Sequence, residues 1–200
     1  ARGRYGRWLG GSVPQLEDRP EAPFRLENLR HPLLVWQEKH DEGPAVVPIS
    51  VEVSSELRVV AITGPNTGGK TVTLKSIGLA ALMARAGMLL PCSGQPSLPW
   101  CAQVLADIGD EQSLHQSLST FSGHVKRIGR ILDALQQGPA PALVLLDEVG
   151  AGTDPSEGTA LATALLKALA DRARLTIATT HFGELKACLL YTSDAADERN

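Results

Sequence analysis

The chain has 200 residues, 43% of them hydrophobic and 20% charged, which suffices for a globular domain with a sizeable core. A formal net charge of -3 provides no global basic field to draw nucleic acid. The longest apolar stretch, Ile77 to Leu90, is interrupted by Arg85 and too short to span a bilayer, so no membrane role is expected.

Cys92, Cys101 and Cys188 form no metal-type pair and leave one over, so a reducing cytoplasm is the expected location. The opening ARGRYGRWLGG is basic but has no apolar core behind it, unlike a signal peptide, and it lacks an initial methionine. An internal fragment of a longer protein is expected.

Ala1 to Leu9 reads either as the last turns of a helix from an upstream domain or as a solvated end. Gly10 to Pro23 holds three prolines and reads as a loop or linker. In Leu26 to Val35 the Arg30-His31-Pro32 step breaks any helix, and Lys39 to Gly43 is turn-like. Pro44 to Val53 then alternates, with Val47, Ile49, Val51 and Val53 on one face, as a half-buried strand does. Its expected partner is Leu57 to Thr63, giving a small antiparallel ledge in front of the turn that follows. Val47 and Pro48 are candidates for apolar contact with an adenine base, or for plain packing.

Leu57 to Thr63 is a buried strand, and Lys70 to Met88 carries apolar residues at helical spacing. Between them lies Gly64-Pro65-Asn66-Thr67-Gly68-Gly69-Lys70-Thr71, which fits the phosphate-loop pattern G-x-x-x-x-G-K-[ST] in the strand-to-helix context the pattern requires. Such glycines let backbone N–H groups turn toward phosphate oxygens, and the helix adds the positive end of its dipole. Lys70 is placed to reach the outer phosphates of ATP, and the Thr71 hydroxyl to ligate magnesium.

Pro91 to Trp100 reads as a surface connection, and Gln103 to Ile108 as a strand. The polar run Asp107 to Gly123 leads into a basic helix, Val125 to Leu132. Ser117, Ser119 and Thr120 suit either a helix cap or a phosphate held at the helix start. Lys126, Arg127 and Arg130 read as a solvated face, with nucleic-acid contact as the alternative. Ala142 to Asp147 is an apolar run ended by Asp147 and Glu148, as in a parallel strand buried on both faces. Adjacent carboxylates at the ligand edge of a sheet divide the work: one orders magnesium, the other polarises water. Gly150 to Gly158 is a turn before the helix Glu157 to Ala170, and Arg174 to Thr180 is a further buried strand that ends at His181, a candidate γ-phosphate contact.

Together GPNTGGKT, the STF segment, LVLLDEVGAGTDPSEG and TTHFGELK resemble the ATPase domain of the MutS family, over roughly Leu26 to Ala187. DIGDEQSLHQSLSTFSGH and ATTHFGELK look most like its recombination-suppressing bacterial branch, MutS-II. The resemblance implies an α/β P-loop NTPase of ABC-ATPase type, with a mostly parallel sheet flanked by helices. It implies ATP and Mg2+ as cofactors and a homodimer with composite sites. Asp147 would order magnesium with Thr71, Glu148 would be the general base, and His181 would sense the γ-phosphate. Ser119 and Thr120 would reach the partner's ATP, and Asn66 would help link the two sites. DNA would be gripped by arms outside this chain, nuclease activity would lie in a further C-terminal domain, and the alternatives are an ATPase module acting on stalled ribosomes or a generic ABC-type ATPase of another assembly. The domains so implied are 1–25, the end of an upstream domain and linker, 26–187, the ATPase domain, and 188–200, a tail that departs from the family pattern.

Overall fold

The computed structural model describes residues 2–19, 22–40, 43–64, 69–109 and 117–181, and for 117–121 the backbone only. In chain order the elements are α1 (Arg2–Leu9), β1 (Gln15–Glu17), β2 (Phe24–Leu29), α2 (Pro32–Lys39), β3 (Ile49–Val53), β4 (Val59–Thr63), α3 (Lys70–Arg85), β5 (Ser93–Pro99), β6 (Gln103–Asp107), α4 (Ser117–Gln137), β7 (Ala142–Leu146), α5 (Pro155–Ala170) and β8 (Leu175–Thr180). They form two compact units, one of Ala1–Glu56 with Lys75–Cys101, the other of Leu57–Leu74 with Ala102–Asn200. No helix among the described residues is long and apolar enough to cross a membrane.

The first unit contains a mixed sheet in the order β1-β5-β2-β3. Here two sequence expectations are corrected. β3 pairs antiparallel with β2, Phe24 opposite Val53 and Leu26 opposite Val51, and not with the strand that follows it. The antiparallel ledge therefore exists but is built from β2, whose Phe24 and Leu26 are wholly buried and give Val53 an apolar partner. The supposed surface connection at 91–100 contains β5, parallel to β1 and antiparallel to β2 despite its prolines. Pro96 offers no ladder N–H, and the β2–β5 pairing shifts register between Arg25 and Glu27.

The presumed linker at 10–23 also holds structure. β1 lies in it, and Ser12 bridges to Leu90 through paired backbone bonds of 2.9 Å. The Arg30-His31-Pro32 step ends β2 and opens α2 with Pro32 in its first turn, where a missing N–H costs nothing.

The second unit is a parallel sheet ordered β4-β8-β7-β6. β7 is an unbroken apolar strand, Ala142 to Leu146, buried at every position. Burying each of its leucines stabilises the fold by about 1.5–3 kcal/mol. Against it pack Ala162, Leu165, Leu166 and Leu169 of α5, with Ile131 of α4. α5 is capped by Asp154, whose side chain accepts the Ser156 N–H at 2.9 Å, and that bond with the Ser156 hydroxyl holds the carboxyl below its ordinary value.

The register of this sheet is what assembles the site. Thr63 lies opposite Thr180, Leu146 opposite Ala178, and Asp107 opposite Leu146. Four strands therefore deliver their carboxyl ends to one edge, the edge at which open α/β sheets hold ligands.

Candidate functional site

The glycine-rich turn leaves β4 at Gly64, with φ +150°, and Gly69, with φ +70°, precedes α3, both conformations that a side chain resists. Pro65, Asn66, Thr67 and Gly68 lie outside the described residues. Lys70 opens α3 and is buried, and its ammonium donates to the Gly64 carbonyl across the loop. Its Nζ also lies 3.5 Å from Nδ1 of His181.

Thr71 donates its hydroxyl to Oδ2 of Asp147 at 2.7 Å, so the first turn of α3 and the end of β7 meet at one carboxylate. The other oxygen, Oδ1, accepts the Thr179 hydroxyl at 2.5 Å. Asp147 is 6% exposed, and these two bonds satisfy both oxygens of the buried carboxylate.

Glu148 lies just beyond, in the left-handed region with φ +51°, a conformation unusual for a residue that is not glycine. Its N–H donates to the Thr179 hydroxyl at 2.8 Å, and its Oε1 lies 3.0 Å from Nε2 of His181. With Nε2 carrying the proton toward Glu148, Nδ1 is left to accept from Lys70. A continuous chain therefore runs Glu148, His181, Lys70, and Thr71 joins the cluster through Asp147.

The structure thus brings together Gly64, Gly69, Lys70, Thr71, Asp147, Glu148 and His181. Val47 lies before β3, which begins only at Ile49, and is exposed, so the strand face expected to bury it is shorter than the alternation of 44–53 suggests. The Ser119 and Thr120 backbones lie in the first turns of α4. The segments at 110–116 and 182–200, including most of the HFGELK run and the tail, lie outside the described residues.

Two residues escaped the sequence reading. Thr179 organises both acids, and the signal was a threonine in a strand otherwise set to be buried, whose hydroxyl needs a partner. Asp107 is 2% exposed, ends β6, and holds His124 Nδ1 at 2.6 Å and the Arg127 guanidinium. In the sequence it falls both in the strand Gln103 to Ile108 and at the start of the polar run to Gly123, which marks it as no more than a boundary. Asp107, His124 and Ile128 line an open cleft together with Asp147, Glu148 and Leu161.

Hard oxygen donors suit magnesium, which takes one or two protein ligands and keeps waters. Asp147 with Thr71 offers that donor set, and among the described residues no cluster of three or more His, Cys, Asp or Glu exists to hold a softer ion.

Comparison with known families matches residues 60–196 to MutS domain V. The chain is 59% identical over 203 residues to a protein of Synechocystis named endonuclease MutS2, covering 94% of this chain and 25% of that protein. Proteins of the same name from Symbiobacterium thermophilum and Thermomicrobium roseum are 50% identical over 186 and 177 residues, covering 93% and 88% of this chain. The chain spans about a quarter of the length of these relatives, 22% and 21% of the latter two.

Proposed function

This chain belongs to the MutS family, in its MutS2-type branch, and carries the P-loop ATPase domain V; from that premise we propose that it binds and hydrolyses ATP with Mg2+ as one half of a composite dimer site. The observation that carries the reading is the bonded chain from Glu148 through His181 to Lys70, beside Thr71 on Asp147.

Gly64 to Thr71 cradles the phosphates, with Lys70 presenting its ammonium to the outer oxygens. Thr71 and Asp147 hold magnesium, which when bound neutralises charge across the phosphates. Glu148 accepts the proton of the attacking water. His181 keeps that carboxylate aimed while its other nitrogen faces Lys70, so that it senses the γ-phosphate. Val47 lines the adenine side. Ser119 and Thr120 cap the partner's nucleotide, and Asn66 links the sites. Positioning and charge neutralisation are the main demands of phosphoryl transfer, and these groups supply both.

The domain so assigned is 26–187, after a connection at 1–25 from upstream sequence, and 188–200 stands apart from it. In the whole cytoplasmic protein, ATP gates a dimer that clamps branched or mismatched DNA and suppresses recombination or serves repair. The arms that grip DNA, and the nuclease named in the relatives, lie in sequence beyond this chain.

The test is Glu148→Gln in the full-length protein. Nucleotide binding is expected to persist while turnover falls about 10²–10⁴-fold, the usual weight of a general base. Unchanged steady-state hydrolysis removes Glu148 from that role. Binding of the full-length protein to branched DNA, duplex DNA and stalled ribosomes decides the target, and preference for ribosomes overturns the DNA assignment.

A further inference from the structure

Asp107 is a carboxylate with 3% of its side chain accessible, at the end of a strand, and among the described residues its charged partners, His124 and Arg127, both come from one helix. His124 donates from Nδ1 to Oδ2 at 2.6 Å, and Arg127 donates from Nε to Oδ1. These residues are one turn apart, so they grip the carboxylate as a pair. The backbone of the same aspartate is part of the acid site, because its carbonyl accepts the Asp147 N–H at 2.9 Å. One residue therefore ties the end of β7, where Asp147 and Glu148 sit, to the start of α4. Ser119 precedes His124 by five residues, about 7.5 Å along a helix axis.

We infer that Asp107 is a positioning residue for the partner's site: through His124 and Arg127 it fixes the start of α4, and so sets Ser119 and Thr120 relative to this chain's own acids. This rests on the composite-site reading above. A buried carboxylate needs its cations, and it takes them from the face of α4 that carries His124, 22% exposed, and Arg127, 43% exposed. Asp107 and His124 of the anchor line the same cleft as Asp147 and Glu148, and the Asp147 N–H bond to the Asp107 carbonyl joins the two directly. It touches neither Lys70 nor Thr71 among the described contacts, and its effect is accordingly expected in trans.

Mixed dimers of the full-length protein test this. Asp107→Asn removes the anchor's charge at nearly constant volume, and Glu148→Gln removes the base of the chain that bears it. Glu148→Gln alone is expected to lose turnover about 10²–10⁴-fold, and Asp107→Asn about 10- to 100-fold, the scale on which small misplacements act. Asp107→Asn is expected to retain the wild-type affinity for a fluorescent ADP analogue. Mixed one to one, half the dimers are hybrids, and one of their two sites joins an intact Glu148 to an intact anchor. Turnover should then recover to about a quarter of wild type.

A control mixture replaces the anchor variant by Ser119→Ala with Thr120→Ala. If the control recovers and the Asp107 mixture does not, Asp107 acts within its own site and the inference is overturned. If the control itself fails to recover, the composite-site reading falls, and the inference with it. Full turnover by Asp107→Asn alone also overturns the inference. Should that variant not fold, Arg127→Gln severs the anchor from its exposed end, and its recovery or failure in the same mixture decides the matter.

Discussion

Replacing Thr179 by valine should weaken the second unit more than its size suggests. The hydroxyl donates to Asp147 Oδ1 at 2.5 Å and accepts the Glu148 N–H at 2.8 Å, inside a residue with no accessible surface. Valine keeps the shape and removes both bonds. A hydrogen bond to a charged group contributes about 1.5–3 kcal/mol, and an orphaned buried N–H costs about 1–3 kcal/mol. One added buried methyl returns roughly 0.8 kcal/mol, so the net loss is about 2–5 kcal/mol. For a chain of this length each kcal/mol moves the melting midpoint by roughly 2–4 °C, so a fall of about 4–20 °C is expected by circular dichroism. Thr179→Ser serves as the control, because it keeps the hydroxyl and loses only a methyl. A valine variant that melts within a degree of wild type, or above the serine variant, would refute the claim that this hydroxyl holds the two acids.

Helix α1 offers a pair of glycine substitutions with opposite signs. A Cβ on Gly6 would lie 2.4 Å from Leu89 Cδ1 and 2.6 Å from its Cβ, so Gly6→Ala should cost about 1–3 kcal/mol through overpacking. Gly3 meets nothing within 4 Å, and Gly3→Ala should add up to about 1 kcal/mol through helix propensity and a stiffer unfolded chain. Thermal melts that rank the two variants in the reverse order would remove the close approach of Gly6 to Leu89. His31 gives a pH signature: burial, then Lys75, lowers its pKa below the ordinary 6.5, and its Nδ1 has no hydrogen-bond partner. The unfolded chain therefore takes up the proton first. Stability from this residue is complete above pH 6.5 and is lost as pH falls toward the folded value. His31→Asn should flatten the decline in melting midpoint between neutral and mildly acidic pH, and an unaltered slope would contradict the assignment.

The second unit was legible because parallel strands buried on both faces announce themselves as apolar runs. Ala142 to Leu146 followed by two acids could hardly be read otherwise, and the parallel sheet puts Asp147, His181 and the phosphate loop on one edge. The first unit was less legible. β2 and β5 mix buried apolar positions with charge and proline, and β1 is short. Nothing between Val53 and Leu57 separates a tight hairpin from a chain that changes sheets. That choice was made by Phe24 and Leu26, whose burial required a strand beside them, and it left β4 to pair with β8.

What no reading of Asp147-Glu148 reveals is how adjacent acids come to serve different partners. Along an extended strand, neighbouring side chains alternate between faces, which would send one of them into the apolar layer. The chain avoids this by leaving strand geometry at Leu146 and turning Glu148 to φ +51°. The turn is held by Thr179, which accepts the Glu148 N–H on its hydroxyl and the Val149 N–H on its carbonyl at 3.0 Å. Asp147 is thereby directed to Thr71 and Thr179, and Glu148 to His181. The division between a carboxylate turned to Thr71 and Thr179 and one turned to His181 is thus a backbone property imposed by a neighbouring strand. It follows that a glycine at position 148 would keep the turn while losing the acid, whereas loss of the Thr179 hydroxyl would disturb both acids at once.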